Sequence, residues 1–157
     1  MSHRRILLDI SPFLIFLLLP LDVQAQSETE SRINTIKAIE RLGGRIKFDR
    51  TRSERRVISV RFYGGDNHAV TDVIFDYLRD MESLEELDLA YTSITNEGLA
   101  NLRNHQNLRS LSLNRTAITD AGLSHLGGLN KLESLKLINT AVTDAGLSQL
   151  RKLKSLD

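Results

Sequence analysis

The chain contains no cysteine and no tryptophan, and only 5% of its residues are aromatic. Without cysteine no disulfide can staple the fold and no lipid can be carried on an N-terminal thiol, so stability must come from core burial. Net charge is almost absent as well: 21 Lys and Arg against 20 Asp and Glu leave +1. That balance creates no global attraction for nucleic acid. The four histidines, His3, His68, His105 and His125, stand far apart without metal-ligand spacing. No nucleophile–base motif and no glycine-rich phosphate loop occurs. These absences point away from catalysis, and neither a metal nor a cofactor is expected.

A long apolar run is also missing, since a membrane-spanning helix takes about 20 residues. The nearest approach is FLIFLLLPL, Phe13 to Leu21, which follows the basic pair Arg4-Arg5 and leads to Val23-Gln24-Ala25. A basic start, a short apolar core and a small-x-small ending are the order of a secretory leader. Residues 1–25 are therefore assigned to a signal peptide. The mature chain is expected outside the cytoplasm, in periplasm, envelope or medium, without a transmembrane segment; retention of the leader as an anchor is the competing outcome.

What the chain has in quantity is repetition. TAITDAGLSHL, Thr116 to Leu126, returns as TAVTDAGLSQL at Thr140 to Leu150 and precedes itself as TSITNEGLANL at Thr92 to Leu102. The 24-residue step also aligns Leu84, Leu108 and Leu132; Leu87, Leu111 and Leu135; Leu89, Leu113 and Leu137; and Leu99, Leu123 and Leu147. A fixed period of this size marks a solenoid, in which each unit buries its apolar face against its neighbours. Within a unit, Leu87 and Leu89 alternate on one face of a short strand. Asp72, Asn96, Asp120 and Asp144 then stand in one column as expected N-caps of a short helix. Gly98, Gly122 and Gly146 leave room for close approach. Strands pack about 4.8 Å apart and helices about 8–10 Å apart, so the stack must curve with its strands inward.

The pattern LxxLxLxxTxITDxGLxxL resembles the leucine-rich repeat, in the cysteine-containing-like subclass shared by F-box-associated repeats and many exported bacterial proteins. The resemblance covers Val57 to Leu156, with Thr92, Thr116 and Thr140 where other subclasses place Asn or Cys. It implies a short, curved α/β solenoid that acts as a protein-binding scaffold without catalysis. The first unit departs from the rule: Val57, Val60 and Phe62 occupy leucine columns, and Asp66, Asn67, His68 and Ala69 contain a three-residue insertion. Upstream, SRINTIKAIERLGG reads as a helix with Ile33, Ile36, Ile39 and Leu42 on one side and Gly43 as its stop. A strand follows, with Ile46 and Phe48 facing one way. Residues 26–56 are thus assigned to an N-terminal helix-plus-strand cap, and residues 57–157 to the repeat domain, with its last repeat incomplete.

Two surfaces emerge as candidate sites. Alternation turns Glu86, Asp88, Ser110, Ser112, Asn114, Ser134 and Lys136 toward the concave face, with Tyr91 nearby as its aromatic anchor. Solenoids bind through such surfaces, and a protein partner is the expected ligand. The second is a basic hairpin. From Arg45 to Arg61 seven basic residues face only Asp49 and Glu54, and Arg50, Arg52, Arg55 and Arg56 sit at its tip. Its functional reading is contact with an anionic surface; its plain reading is a solvated turn. With no aromatic between Arg50 and Arg56, base stacking has no platform there. His105 and His68 are read as a tolerated polar substitution and a solvated loop residue.

Two other function classes stand beside the scaffold. A structural component could self-associate through the C-terminal end, where Leu156 begins a unit that is not completed and no polar cap follows. A substrate receptor of an F-box-type ubiquitin ligase fits the repeat subclass, but not the leader. The leader itself yields a prediction: cleavage falls between Ala25 and Gln26, and intact-mass measurement of the exported protein should return a species beginning at Gln26. A mature species that retains Phe13 to Leu19 would show an anchor instead.

Overall fold

The computed structural model describes residues 21–51, 55–62 and 67–156. The predicted leader therefore lies outside the described residues up to Pro20. Two compact units divide the chain between Thr35 and Ile36. Helix α1 (Leu21–Arg41) supplies everything described in the first. It starts ten residues before the helix expected from the apolar spacing. No proline or glycine interrupts the sequence from Leu21 to Leu42, and a polar segment of helix formers continues a helix as readily as an apolar one. Ile33, expected on the buried side, is exposed.

In the second unit α1 ends where expected. Gly43 takes φ of 81°, in the left-handed region, and its N–H donates to Glu40 O at 2.9 Å. Ile39 is completely buried. A methyl group on Gly44 would collide with the Ile39 side chain and the Phe62 ring, so this glycine admits the contact that closes the first coil.

Five strands form one sheet in chain order: β1 (Gly44–Phe48), β2 (Val57–Phe62), β3 (Glu86–Asp88), β4 (Ser110–Ser112) and β5 (Ser134–Lys136). β1 and β2 are antiparallel, with a bulge at Lys47/Phe48; every later pair is parallel. The register follows the repeat, with Val60, Leu87, Leu111 and Leu135 side by side across four strands. Each strand from β2 to β5 is followed by a short helix on the other side: α2 (Ile74–Leu78), α3 (Asn96–Leu99), α4 (Asp120–Leu123) and α5 (Asp144–Leu147). From β2 onward, chain order, parallel pairing and a helix in every return make an α/β solenoid.

The core lies between the two layers. Leu84, Leu89, Leu99, Leu102, Leu108, Leu111, Leu113, Leu123, Leu126 and Leu132 are all fully buried. The last described coil is looser: Leu135 and Leu137 are half-buried, and Leu147, expected in a core column, is 46% exposed. No further strand stands beside β5 among the described residues, so these side chains lack a neighbour on one flank.

The polar joints between coils differ from the expected caps. Thr95, Thr119 and Thr143, each one residue earlier than predicted, are the N-cap residues, with extended backbone. The Asp and Asn column is turned toward the next coil instead. Asp72 accepts from the Thr95 N–H at 2.8 Å, and its second oxygen lies 2.6 Å from the Thr95 hydroxyl. Asn96 accepts from Thr119 N–H and donates to its hydroxyl, at 3.0 and 2.9 Å. Asp120 accepts both donors of Thr143 at 2.7 Å. The glycine column makes this reach feasible: a Cβ on Gly98, Gly122 or Gly146 would overlap the Asp72, Asn96 or Asp120 side chain of the preceding coil. Close approach was legible in the sequence, but the approaching group is a neighbour's carboxylate or amide. A second ladder runs inside each coil, where Thr92, Thr116 and Thr140 donate to Leu89, Leu113 and Leu137 carbonyls at 2.6–2.8 Å.

Two predictions follow from these contacts. Leu111→Ala empties a fully buried position at the centre of the stack and should cost about 2–5 kcal/mol in denaturant melts. The second concerns acid. The Thr143 N–H and hydroxyl hold the Asp120 carboxyl below its ordinary value. That stabilisation is complete above the unfolded value of about 3.9 and is lost as pH falls through the lower folded value. Asp120→Asn copies the working Asn96 joint, so it should keep the fold and flatten the loss of stability below about pH 4. Melts in acid that stay as steep as wild type would show that Asp120 contributes none of it.

Candidate functional site

The inner face is built by strand alternation. Where Leu87, Leu111 and Leu135 point into the core, the residues on either side point away from it. Strand register then lays these into two rows, Lys47–Ser59–Glu86–Ser110–Ser134 and Arg45–Arg61–Asp88–Ser112–Lys136. Six of the candidate residues, Glu86, Asp88, Ser110, Ser112, Ser134 and Lys136, fall in these rows. Asn114 and Tyr91 lie just beyond, at the strand ends.

Most of this polar surface is already engaged. Glu86 forms an ion pair with Arg61 on the neighbouring strand, and both remain partly exposed. The Arg61 hydrogen bond holds the Glu86 carboxyl below its ordinary value against the opposing effect of burial; the Ser59 hydroxyl and the Lys47 charge act in the same direction as Arg61. Asp88 turns back to accept from the Ala90 N–H at 3.0 Å. Asn114 accepts from the Ile138 N–H of the next coil at 2.8 Å. Ser112, expected to be outward and accessible, is only 8% exposed. Its side chain is short, and Asp88 and Lys136 flank it in register, so it stands on the face without being open to a large ligand.

Tyr91 brings a feature that alternation could not show. The Arg115 guanidinium lies over its ring, 5.3 Å from the centroid. Tyr91, Arg115 and Asn139 occupy one column, and all three adopt positive φ, at 61°, 53° and 57°. The chain makes the same left-handed bend after β3, β4 and β5, and the bend sets Arg115 over Tyr91 of the preceding coil. The signal was present in the sequence as the 24-residue step from Tyr91 to Arg115, but a period does not reveal that both side chains turn the same way.

The basic hairpin divides in two. Arg45, Lys47 and Arg61 belong to the inner-face rows, whereas Arg50, Arg55 and Arg56 are exposed at the tip and Arg52 lies outside the described residues. Arg55 sits over the Phe48 ring at 5.9 Å, so an aromatic does underlie this cluster from just outside the segment searched in the sequence. Asp49 is engaged at the base of the tip, accepting from the Thr51 N–H at 2.8 Å.

The histidines do not gather. His105, expected as a tolerated polar substitution at the end of an outer helix, is 2% exposed; its Nε2 lies 3.0 Å from the Leu78 carbonyl, and its Nδ1 is buried without a hydrogen-bond partner. Its column otherwise holds Met81, Leu129 and Leu153, which places the ring inside the stack. His68 lies on the surface, with Nδ1 3.3 Å from the Ser93 hydroxyl. Among the described residues no three His, Asp or Glu side chains are placed to hold a metal ion, and no helix is long and apolar enough to cross a membrane.

Comparison with known protein families agrees with this geometry. The family model for the leucine-rich repeat matches residues 81–102 and 104–127. No curated protein matches the chain. Among solved structures, the crystal structure of an internalin from Listeria monocytogenes is similar at 24% identity and a TM-score of 0.37. The similarity covers 52% of this chain and 30% of the internalin, so the chain spans less than a third of that protein's length. With two repeats matched by the family model and a coil of parallel strands and short helices built on the same period, this is a protein with a leucine-rich repeat fold.

Proposed function

We propose that the chain is a non-catalytic leucine-rich repeat scaffold that binds a protein partner on its inner strand face, outside the cytoplasm. The observation that carries this reading is the face itself. Four strands in continuous register present two rows of polar side chains over an apolar core that is fully buried at Val60, Leu108, Leu111 and Leu113. Such a surface is rigid before binding, which lowers the ordering cost of association. Among the described residues no three His, Asp or Glu side chains gather to hold a metal ion. Export rests on the leader, and residues 26–56 act in this reading as the N-terminal cap of a repeat domain beginning at Val57.

The matched test is blockade of the face without touching the core. Ser110→Trp and Ser134→Trp fill the row beside Glu86 with bulk, whatever the charge of the ligand. In a pull-down from envelope extract, the double variant should lose its partner by about tenfold or more in affinity while melting like wild type. A partner that is retained by this variant but lost when Arg50, Arg55 and Arg56 are replaced by Ser would move the site to the basic hairpin.

A further inference from the structure

The inner face is not uniform in the charge it leaves for a ligand. On the β2–β3 side Glu86 and Arg61 neutralise each other, and Asp88 remains anionic beside them. On the β4–β5 side two cations have no ion-pair partner among the described residues, Arg115 and Lys136. Arg115 is held over the exposed Tyr91 ring, and its backbone N–H donates to the Ile138 carbonyl at 2.8 Å, which fixes it beside Ile138 in the next coil. Ile138 is 65% exposed and Tyr91 39%. Lys136 precedes Ile138 by two residues, roughly 6.6 Å along the chain and on the same face. One patch therefore combines a cation stacked on an aromatic, a second cation and an open aliphatic side chain.

The backbone beneath this patch is unusual. Left-handed φ suits Gly and Asn, and a bulky residue there is an outlier. Asn139 meets that preference, whereas Tyr91 and Arg115 occupy the same bend against it. The bend places their side chains together at the rim. Stacked on Tyr91, the Arg115 guanidinium is oriented and leaves its edge to take a carboxylate through two parallel hydrogen bonds.

We infer that Tyr91, Arg115, Lys136 and Ile138 form the contact patch for an acidic polypeptide segment. The inference rests on the inner-face reading and names the chemistry of its partner. Carboxylates of the segment meet Arg115 and Lys136, and an apolar side chain between them rests on Tyr91 and Ile138. Asp88 repels the same segment, so the segment lies toward β4 and β5. Tyrosine and arginine are the side chains that most often dominate an interface when they are desolvated together.

The experiment is a random peptide display library panned on the full chain, followed by affinities of the best synthetic peptide. The expected peptides carry Asp or Glu next to an aliphatic or aromatic residue, and their binding weakens as salt rises from about 50 to about 500 mM. The variants borrow residues that neighbouring coils use at the same positions: Arg115→Asn and Tyr91→Asn follow Asn139, and Lys136→Ser follows Ser112. Each should melt like wild type; Arg115→Asn and Lys136→Ser should each weaken binding about tenfold, and Asp88→Asn should not weaken it. Basic or neutral peptides that need Asp88 would overturn this patch and leave the inner-face reading standing. Acidic peptides that tolerate Arg115→Asn and Lys136→Ser but fail when Arg50, Arg55 and Arg56 are replaced would overturn both. So would a library that yields no enrichment.

Discussion

One joint organises this protein: a carboxylate or amide in one coil accepting from the threonine that opens the helix of the next. Asp72 with Thr95, Asn96 with Thr119 and Asp120 with Thr143 repeat it three times. A helix of four residues has no stability of its own, because too few of its backbone groups are paired internally to offset the ordering of its first turn. Here α3, α4 and α5 are each fixed at the start by a group from the coil before. The glycine that follows keeps the space open for that group. Remove the glycine and the acceptor must move; remove the acceptor and the threonine N–H loses its partner.

The joint has a consequence for the opposite side of the stack. Because the helices are tied at a constant offset, the strands also keep a constant offset, and the inner rows stay in register from β2 to β5. Regular rows place Glu86 within reach of Arg61 and put Ser112 between Asp88 and Lys136. The same offset stacks Tyr91 beneath Arg115.

His105 shows how far a repeat can be bent without breaking. Its column is otherwise apolar, and the ring is accommodated because the helix of the preceding coil ends close by, with the Leu78 carbonyl available to one ring nitrogen. That carbonyl already accepts from the Met81 N–H at 2.8 Å, and the ring nitrogen lies against the same oxygen. The exchange leaves the His105 Nδ1 as the buried side-chain polar atom without a hydrogen-bond partner among the described residues.

The sequence by itself determined the period, the core columns and the strand alternation. Each depends only on where a residue falls within its own unit: Leu84, Leu108 and Leu132 share an environment because they share a position, and all three are fully buried. It also showed which positions face away from the core on the inner strand face. Tertiary structure decided which side chains meet. Asp120 and Thr143, Arg61 and Glu86, and Tyr91 and Arg115 lie 23 to 25 residues apart, and each contact depends on how one coil is set against the next. The N-caps were misplaced by one residue for this reason, since Asp is as good a local acceptor as Thr until a second coil offers it another donor. Ser112 was correctly placed on the inner face but not seen to be covered, because cover comes from the neighbouring strands. Periodicity is a property of one coil, whereas pairing across coils is fixed only when they stack.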